Sequence, residues 1–314
     1  MFAHKDNVDL YNQKATLGKT MTRAIQERER GPAIVVKDFH NAIKRALILQ
    51  FCTNADRLYD IGCGRGGDIA KWLEANIHFV KGIDPSPYSI QECKERFWNV
   101  TKRTPSSSAQ LQFQVVKDFG QRDYEEPQPF QCASAMFSLH YFFDSEQSAQ
   151  QLFRNVSRLL VPGGVFFGCF PAGKRILMAL DGAQEHTSAF LHITRPFQGP
   201  PQCFGSGYTF ALRDTVTCTD NDDDKQASRE YLVFFNVVLS LADQVGLEPI
   251  TDYGEFRATS NKPHLAPFQS WDALFEKNDR NAVFKHFSPN HFVHVDPSLD
   301  MASRLFCAFA FRKK

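Results

Sequence analysis

A chain of 314 residues with 43% hydrophobic and 23% charged residues has the balance of a folded soluble protein, long enough for one large α/β domain with insertions or for two small ones. A formal net charge of +1 excludes a general polyanion binder. The opening residues Met1-Phe2-Ala3-His4-Lys5-Asp6 lack the apolar stretch of a secretory signal, and no run is long enough to span a bilayer.

Residues 1–10 read as disordered, and 11–30 as a polar, basic stretch with Lys14, Lys19, Arg23, Arg28 and Arg30. Residues 1–45 carry nine Lys/Arg against five Asp/Glu. The expectation is a flexible basic N-terminal arm over 1–33, either a solvated face or an arm that closes over ligand or RNA phosphates. Residues 34–51 predict a helix, with Ile43, Leu47 and Phe51 at helical spacing. Asn41 and Lys44, three apart, share one of its faces.

The stretch Leu58-Tyr59-Asp60-Ile61 then predicts a buried strand that ends in a glycine turn, Gly62-Cys63-Gly64-Arg65-Gly66-Gly67-Asp68, before a helix from about Ile69. Glycines suit a backbone that turns sharply and approaches a ligand closely, and the helix start behind them offers free N–H groups. Taken alone, Gly62-x-Gly64-x-x-Gly67 also fits a dinucleotide fingerprint. A second strand over 77–83 ends at Asp84, 22 residues after Gly62, where an acid can hold a ribose diol. A third strand over 111–116 is followed by Asp118. Asp60, the glycine loop with Asp84, and Asp118 therefore read as one nucleoside crevice at the carboxyl ends of a parallel sheet.

Further on, Pro85-Ser86-Pro87 starts a crossover helix. Residues 132–137 predict strand four, whose end, Ser138-Leu139-His140-Tyr141, projects into the crevice. Asp144-Ser145-Glu146-Gln147 caps a helix running to about Leu160, with Leu152, Val156, Leu159 and Leu160 as its buried stripe. Pro162-Gly163-Gly164 turns into strand five over 165–169. Residues 172–229, which include the acidic cluster at 220–224, break the rhythm and read as an inserted lid with a small strand pair, one strand being 208–212. A helix over 231–245, a strand over 248–253, an irregular aromatic and histidine-rich stretch over 259–297 and a last strand over 305–311 complete the chain. The eight cysteines (52, 63, 93, 132, 169, 203, 218 and 307) form no CxxC pair and no ligand spacing with histidine, so reduced thiols and no metal site are expected.

"DIGCGRGGD" followed by "GIDPSPYSIQECKERF" resembles the mRNA cap guanine-N7 methyltransferases, class I enzymes that use S-adenosylmethionine. The likeness extends through "YNQ" at Tyr11-Asn12-Gln13, "DFHNAIKRALI" at 38–48, "FSLHYFF" at 137–143, "LLVPGGVFFGCFP" at 159–171, "FGSGYTFAL" at 204–212, "EYLVFF" at 230–235 and the closing "AFAFRKK". It covers the chain from about Leu10 onward, in one order.

The resemblance implies a Rossmann-like, doubly wound α/β fold: a seven-stranded sheet with an antiparallel last strand, plus the inserted lid. It implies one catalytic domain over 34–314 with the insertion at about 172–229. The implied reaction is transfer of a methyl group from S-adenosyl-L-methionine to nitrogen 7 of the terminal guanine of a GpppN cap, leaving S-adenosyl-L-homocysteine. That nitrogen bears no hydrogen and keeps a free lone pair, so no general base is needed. Alignment and electrostatics remain for the protein to supply.

By the same resemblance, Lys44 and Tyr141 match cofactor contacts, Gly62 and Gly64 let the methionine part approach, Asp84 holds the ribose diol and Asp118 accepts from the adenine amino group. Met136 stands where the family commonly has glutamine, which removes a hydrogen bond there. His40 and Asn41 match positions at the cap, and Arg65 and Arg96 match contacts to its triphosphate, a role suited to the arginine fork. Glu230 matches the acid that reads the guanine donor edge, His140 can donate to the guanine oxygen, and Phe204 packs on the base. Phe306 stands where tyrosine is usual, so a ring can stack there but no hydroxyl can bond. Alignment falls to His140, Tyr141 and Glu230. Partners implied are a capped RNA 5′ end and a guanylyltransferase or activating subunit, with a monomeric enzyme, nuclear if cellular and cytoplasmic if viral.

Rival readings are a class I methyltransferase acting on another small or macromolecular substrate, a nicotinamide dehydrogenase, and a catalytically silent binding partner. The second lacks its expected substrate groups on the later strands, and the intact loop acids argue against the third. Without the resemblance, Glu230 reads as a plain helix-start acid.

Overall fold

The computed structural model describes residues 31, 33–103, 109–213, 227–251 and 296–314. The basic residues of the N-terminal arm, the acidic cluster at 220–224, Cys218 and nearly all of the 259–297 stretch lie outside the described residues.

Seven strands form one sheet: β1 (Arg57–Ile61), β2 (Phe79–Asp84), β3 (Gln110–Val115), β4 (Phe130–Met136), β5 (Leu160–Pro171), β10 (Leu247–Pro249) and β11 (Phe306–Lys313). Their order is β10-β11-β5-β4-β1-β2-β3. β1 pairs parallel with both β2 and β4, while β11 runs antiparallel to β5 and β10. The expected doubly wound sheet with its antiparallel last strand is observed.

The period-2 pattern of β11 shows why the sheet has two cores. Phe306, Ala308 and Ala310 face one side, with Phe39, Ile43 and Leu47 of helix α1 (Ile34–Cys52). Cys307, Phe309 and Phe311 face the other, with Leu152, Phe153 and Val156 of helix α4 (Glu146–Leu159). Each fully buried phenylalanine contributes about 1.5–3 kcal/mol by leaving water. Between these elements in the chain come α2 (Ile69–Glu74) and α3 (Pro87–Arg103). The predicted cap of α4 forms, with the Ser145 side chain accepting from the Ser148 N–H at 3.2 Å.

Several boundaries differ from the sequence reading. Strand β5 begins at Leu160, before Pro162-Gly163-Gly164, and the register shift opposite Phe130 and Cys132 absorbs that turn within the strand. Between β5 and the helix that follows Phe234, the described residues hold helix α5 (Gly173–Leu180) and a four-stranded antiparallel sheet where a strand pair was expected. Its strands are β6 (Glu185–Thr187), β7 (Leu191–Thr194), β8 (Gly207–Leu212) and β9 (Ser228–Tyr231). The last of these carries Glu230, so Glu230 is a strand residue and no helix-start acid. Helix α6 starts later than read, at Phe235, and ends at Asp243. Helix α7 (Pro297–Arg304) precedes β11. No described helix is long and apolar enough to cross a membrane.

Candidate active site

The chain leaves β1 and returns to the sheet on one side through β2 and β3, then on the other through β4. That reversal opens a crevice outside the carboxyl end of β1. The glycine loop enters it pinned to β2, since the Gly62 and Cys63 N–H groups both donate to the Ile83 carbonyl, at 2.8 and 3.0 Å. Gly62, Gly64 and Gly66 of the loop hold a left-handed backbone, while Gly67 does not.

Gly62 and Gly64 need glycine for different reasons. At Gly62, with φ of 78°, an added Cβ would lie 2.5 Å from the Ser138 Cβ. At Gly64, with φ of 52°, a Cβ would meet nothing within 4 Å, so the space there belongs to the crevice. Gly62→Ala is therefore expected to cost about 3 kcal/mol of folding stability, from the left-handed backbone plus the overlap. Gly64→Ala should cost only about 1 kcal/mol, with the larger loss in ligand affinity. Urea melts with and without ligand would separate the two, and equal stability losses would contradict the assignment.

Asp84 closes the loop. Its Oδ2 accepts from the Gly64 N–H at 3.0 Å and its Oδ1 from the Ser86 N–H at 2.9 Å. Each oxygen keeps a second lone pair. Burial raises its pKa to about 6, against the pull of the two N–H groups and Arg65. Asp60, buried on β1, accepts from the Ser134 hydroxyl and is raised to about 7 by burial and by Asp68.

Behind the loop lies a network that sequence reasoning missed. Burial alone would raise Asp68, but the Lys44 and Lys71 ammoniums outweigh it and hold the acid well below the usual carboxylate range. Lys44 donates to Asp68 at 2.8 Å. Lys71 uses its three donors on Asp68 (2.7 Å), the Gly67 carbonyl (2.9 Å) and Asn41 (3.1 Å), and burial lowers its pKa to about 8. Helix α1 is thus tied to the glycine loop through Asn41 and Lys44. The helix behind the loop has only six residues, and its first N–H, at Ile69, is taken by the Gly66 carbonyl at 3.3 Å. The free N-terminus expected from the sequence is correspondingly reduced. An acid followed three residues later by a lysine was the available signal.

The end of β4 connects this crevice to a second niche. Phe137 holds a left-handed φ of 58°, a strained state for an aromatic residue. The turn sets the Ser138 side chain over Gly62, with its hydroxyl donating to the Ile61 carbonyl at 2.5 Å. The Phe137 ring meets His40 at 4.9 Å and Phe306 at 5.0 Å, and His40 and Phe306 lie 4.7 Å apart. Met136 is buried 3.9 Å from the Cys169 sulfur.

A short 3-10 helix (Leu139–Asp144) follows and meets β9. The Tyr141 hydroxyl lies 3.3 Å from the Ser228 hydroxyl. His140 Nε2 lies 3.8 Å from Glu230 Oε1, too long for a hydrogen bond. Both His140 ring nitrogens are buried and have no hydrogen-bond partner among the described residues. Burial lowers the His140 pKa to about 3, so the imidazole is neutral and can donate from one nitrogen only. Glu230 is 4% exposed, and burial raises it to about 7 against the hydroxyl of Tyr208, which donates to Oε2 at 2.6 Å. A buried acceptor beside an unpaired neutral imidazole can read a base edge that carries both donors and an acceptor. Phe204 stacks on Phe143 at 5.7 Å near this niche, where the Gly205 N–H donates to the Phe143 carbonyl.

Three predicted residues stand apart from these contacts. Asp118 is more exposed and engages Arg122 (2.6 Å) and the Tyr124 hydroxyl, which hold its pKa down. Arg65 faces Glu92 at 3.5 Å, and Arg96 is half-buried one turn further along α3. Among the described residues no group of three or more His, Cys, Asp or Glu is placed to hold a metal ion.

A family model described as an mRNA (guanine-N(7))-methyltransferase domain matches residues 4–314. The mRNA cap guanine-N(7) methyltransferase 1 of Arabidopsis thaliana is 32% identical over 72% of this chain and 62% of its own. The rice relative is also covered over 62% of its length, so the chain spans about three fifths of these plant proteins. The mRNA cap guanine-N(7) methyltransferase of Saccharomyces cerevisiae is 29% identical over 98% of this chain and 70% of its own. Among solved structures, the CcbJ methyltransferase of Streptomyces caelestis matches with a TM-score of 0.50 at 13% identity, over 88% of this chain and 89% of that one, a likeness of fold.

Proposed function

Because the chain belongs to the mRNA (guanine-N(7))-methyltransferase family, we propose that it transfers a methyl group from S-adenosyl-L-methionine to nitrogen 7 of the terminal guanine of a GpppN cap, releasing S-adenosyl-L-homocysteine. The observation that carries this reading is the continuity of the two niches. Ser138 packs on the cofactor-type glycine loop, and His140, two residues later, faces the buried Glu230.

The residues fit the cofactor by their donor and acceptor sets. Asp84, with a spare lone pair on each oxygen, takes the two hydroxyls of a ribose diol. Gly64 leaves room for the backbone to approach. Lys44, Tyr141 and the apolar Met136 line the same cofactor side, and Asp118 takes the adenine amino group with the lone pairs that Arg122 and Tyr124 leave. When bound, the cofactor supplies a methyl group on a sulfonium cation, electrophilic without further activation.

On the cap side, Glu230 accepts from the ring N–H and 2-amino group of guanine, and neutral His140 donates to the guanine oxygen. Phe204 packs on the base, His40, Asn41 and Phe306 flank the cap, and Arg65 and Arg96 meet the triphosphate. None of these groups moves a proton. They fix the lone pair of nitrogen 7 in line and keep water out, which is where the rate enhancement arises. A single catalytic unit over 34–314 carries the insertion at about 172–229, and the basic residues of the arm over 1–33 supply positive charge for RNA phosphates. The enzyme acts as a monomer in the nucleus, on 5′ ends delivered by a guanylyltransferase, with or without an activating subunit.

A methyl-transfer assay on capped, uncapped and N7-methylated RNA tests the reading. Transfer is expected only to the unmethylated cap. Equal transfer to the uncapped or pre-methylated RNA would reject it.

A further inference from the structure

Strands β8 and β9 pair antiparallel with Tyr208 directly opposite Glu230, so their side chains leave the small sheet on one face. Tyr208 is 1% exposed, and its hydroxyl donates to Glu230 Oε2 at 2.6 Å. The groups that face the carboxylate are Tyr208 from β8 and His140 from the 3-10 helix, with Tyr141 acting on Tyr208 from the same helix. His140 is neutral and too distant to bond, which leaves Tyr208 as the hydrogen-bond donor to this carboxylate among the described residues.

Resting on the reading above, we propose that Tyr208 is a positioning residue for Glu230, and that through it the site selects guanine over a purine lacking the 2-amino group. One bond from Tyr208 fixes the rotation of the carboxylate about its terminal torsion, which is otherwise soft. Oε1 and the second lone pair of Oε2 then lie in one plane, spaced for the two parallel N–H donors of guanine. A hypoxanthine base presents only one of those donors. The same bond favours the ionised carboxylate, because a hydroxyl donor stabilises the charged form. Tyr208 itself stays protonated, since burial and the neighbouring Glu230 push its pKa far up.

The test compares wild type, Tyr208→Phe and Glu230→Gln on guanosine-capped and inosine-capped RNA across pH, with the cofactor Kd measured in parallel. For Tyr208→Phe, kcat/KM on the guanosine cap should fall roughly tenfold to a hundredfold, the worth of one hydrogen bond to a charged group. The guanosine-to-inosine ratio should fall toward one, the acidic limb of the pH profile should move to higher pH, and the cofactor Kd should stay unchanged. A ring-fluorinated tyrosine at position 208, a stronger donor of the same shape, should move that limb to lower pH. It supplies the reading even if Tyr208→Phe folds poorly.

A wild-type base ratio and pH limb in Tyr208→Phe, with Glu230→Gln defective, would overturn the positioning role. An unmoved limb in the fluorinated protein would do the same. Full guanine preference in Glu230→Gln would instead overturn the reading of the site itself.

Discussion

The Glu230→Gln variant is expected to lose about 100-fold in kcat/KM on capped RNA while binding S-adenosylmethionine with the wild-type Kd. The glutamine amide keeps one acceptor and turns one donor against a donor of guanine. An unsatisfied buried donor costs roughly 1–3 kcal/mol, and about 2.7 kcal/mol corresponds to two decades in rate. The loop contacts of Asp84 do not involve this carboxylate, which is buried opposite His140 and bonded to Tyr208. The pH dependence gives a second readout. Burial raises Glu230 from an ordinary 4.5 to about 7. A raised carboxylate contributes stability that is complete below its unfolded value and is lost as pH rises through the folded one. With respect to this group the ligand-free protein is therefore most stable below pH 4.5, and the contribution is gone above about 7. Cap binding needs the opposite, ionised form, so wild-type kcat/KM should climb with pH and level off above about 7, while the Glu230→Gln profile loses that limb. Unaltered turnover of capped RNA by the variant would remove Glu230 from the site.

The parts of the fold that could be read from sequence are those in which one residue type answers one local demand. The apolar runs of β1 and β2 are buried on both faces, so they stand out as short hydrophobic blocks, the first closed by Gly62 and the second by Asp84. Asp84 follows from its place at the end of an apolar run one crossover after the loop, and it ends β2 and accepts from the Gly64 N–H. The alternation in β11 and the Ser145 cap of α4 are equally local.

What escaped had no local signature. The small sheet was underestimated because β6 presents Glu185 and Thr187 to solvent and spans three residues, too few for a period to register. The helix over 231–245 is read as starting too early because "EYLVFFNVVLSL" is one apolar run, and periodicity alone does not divide β9 from α6 inside it. The Lys71 staple joins residues 30 apart, and the Tyr208–Glu230 bond joins residues 22 apart. Only the fold brings such pairs together. The strained Phe137 was hidden inside a recognised motif, since nothing in its residue type announces a positive φ. Around the candidate site, then, the single residues were legible in sequence, and structure added the contacts that hold them, Lys71 on Asn41 and Tyr208 on Glu230.

The Asp84→Ala variant should lose cofactor-induced stabilisation almost entirely. With cofactor at 100 times its Kd, a ligand confined to the folded state adds about 2.7 kcal/mol. The ribose diol donates two hydrogen bonds to a charged acceptor, each worth roughly 1.5–3 kcal/mol, so their loss weakens binding by at least about 100-fold. At the same concentration the stabilisation then falls to about 0.4 kcal/mol or less. The variant also removes the acceptor for the Gly64 and Ser86 N–H groups and will melt earlier without ligand. The quantity to compare is therefore the shift on adding cofactor within each protein, and Glu230→Gln, whose shift should match wild type, is the control. Protonation gives the same prediction a sign. Burial places Asp84 near 6, and the diol favours the ionised form, so wild-type affinity should hold above about pH 7 and weaken as pH falls below 6. That limb must vanish in Asp84→Ala, where no carboxyl is left to titrate. An undiminished thermal shift in the variant, or a wild-type affinity flat from pH 5 to 8, would place the ribose elsewhere and with it the orientation of the methyl donor toward Glu230 and His140.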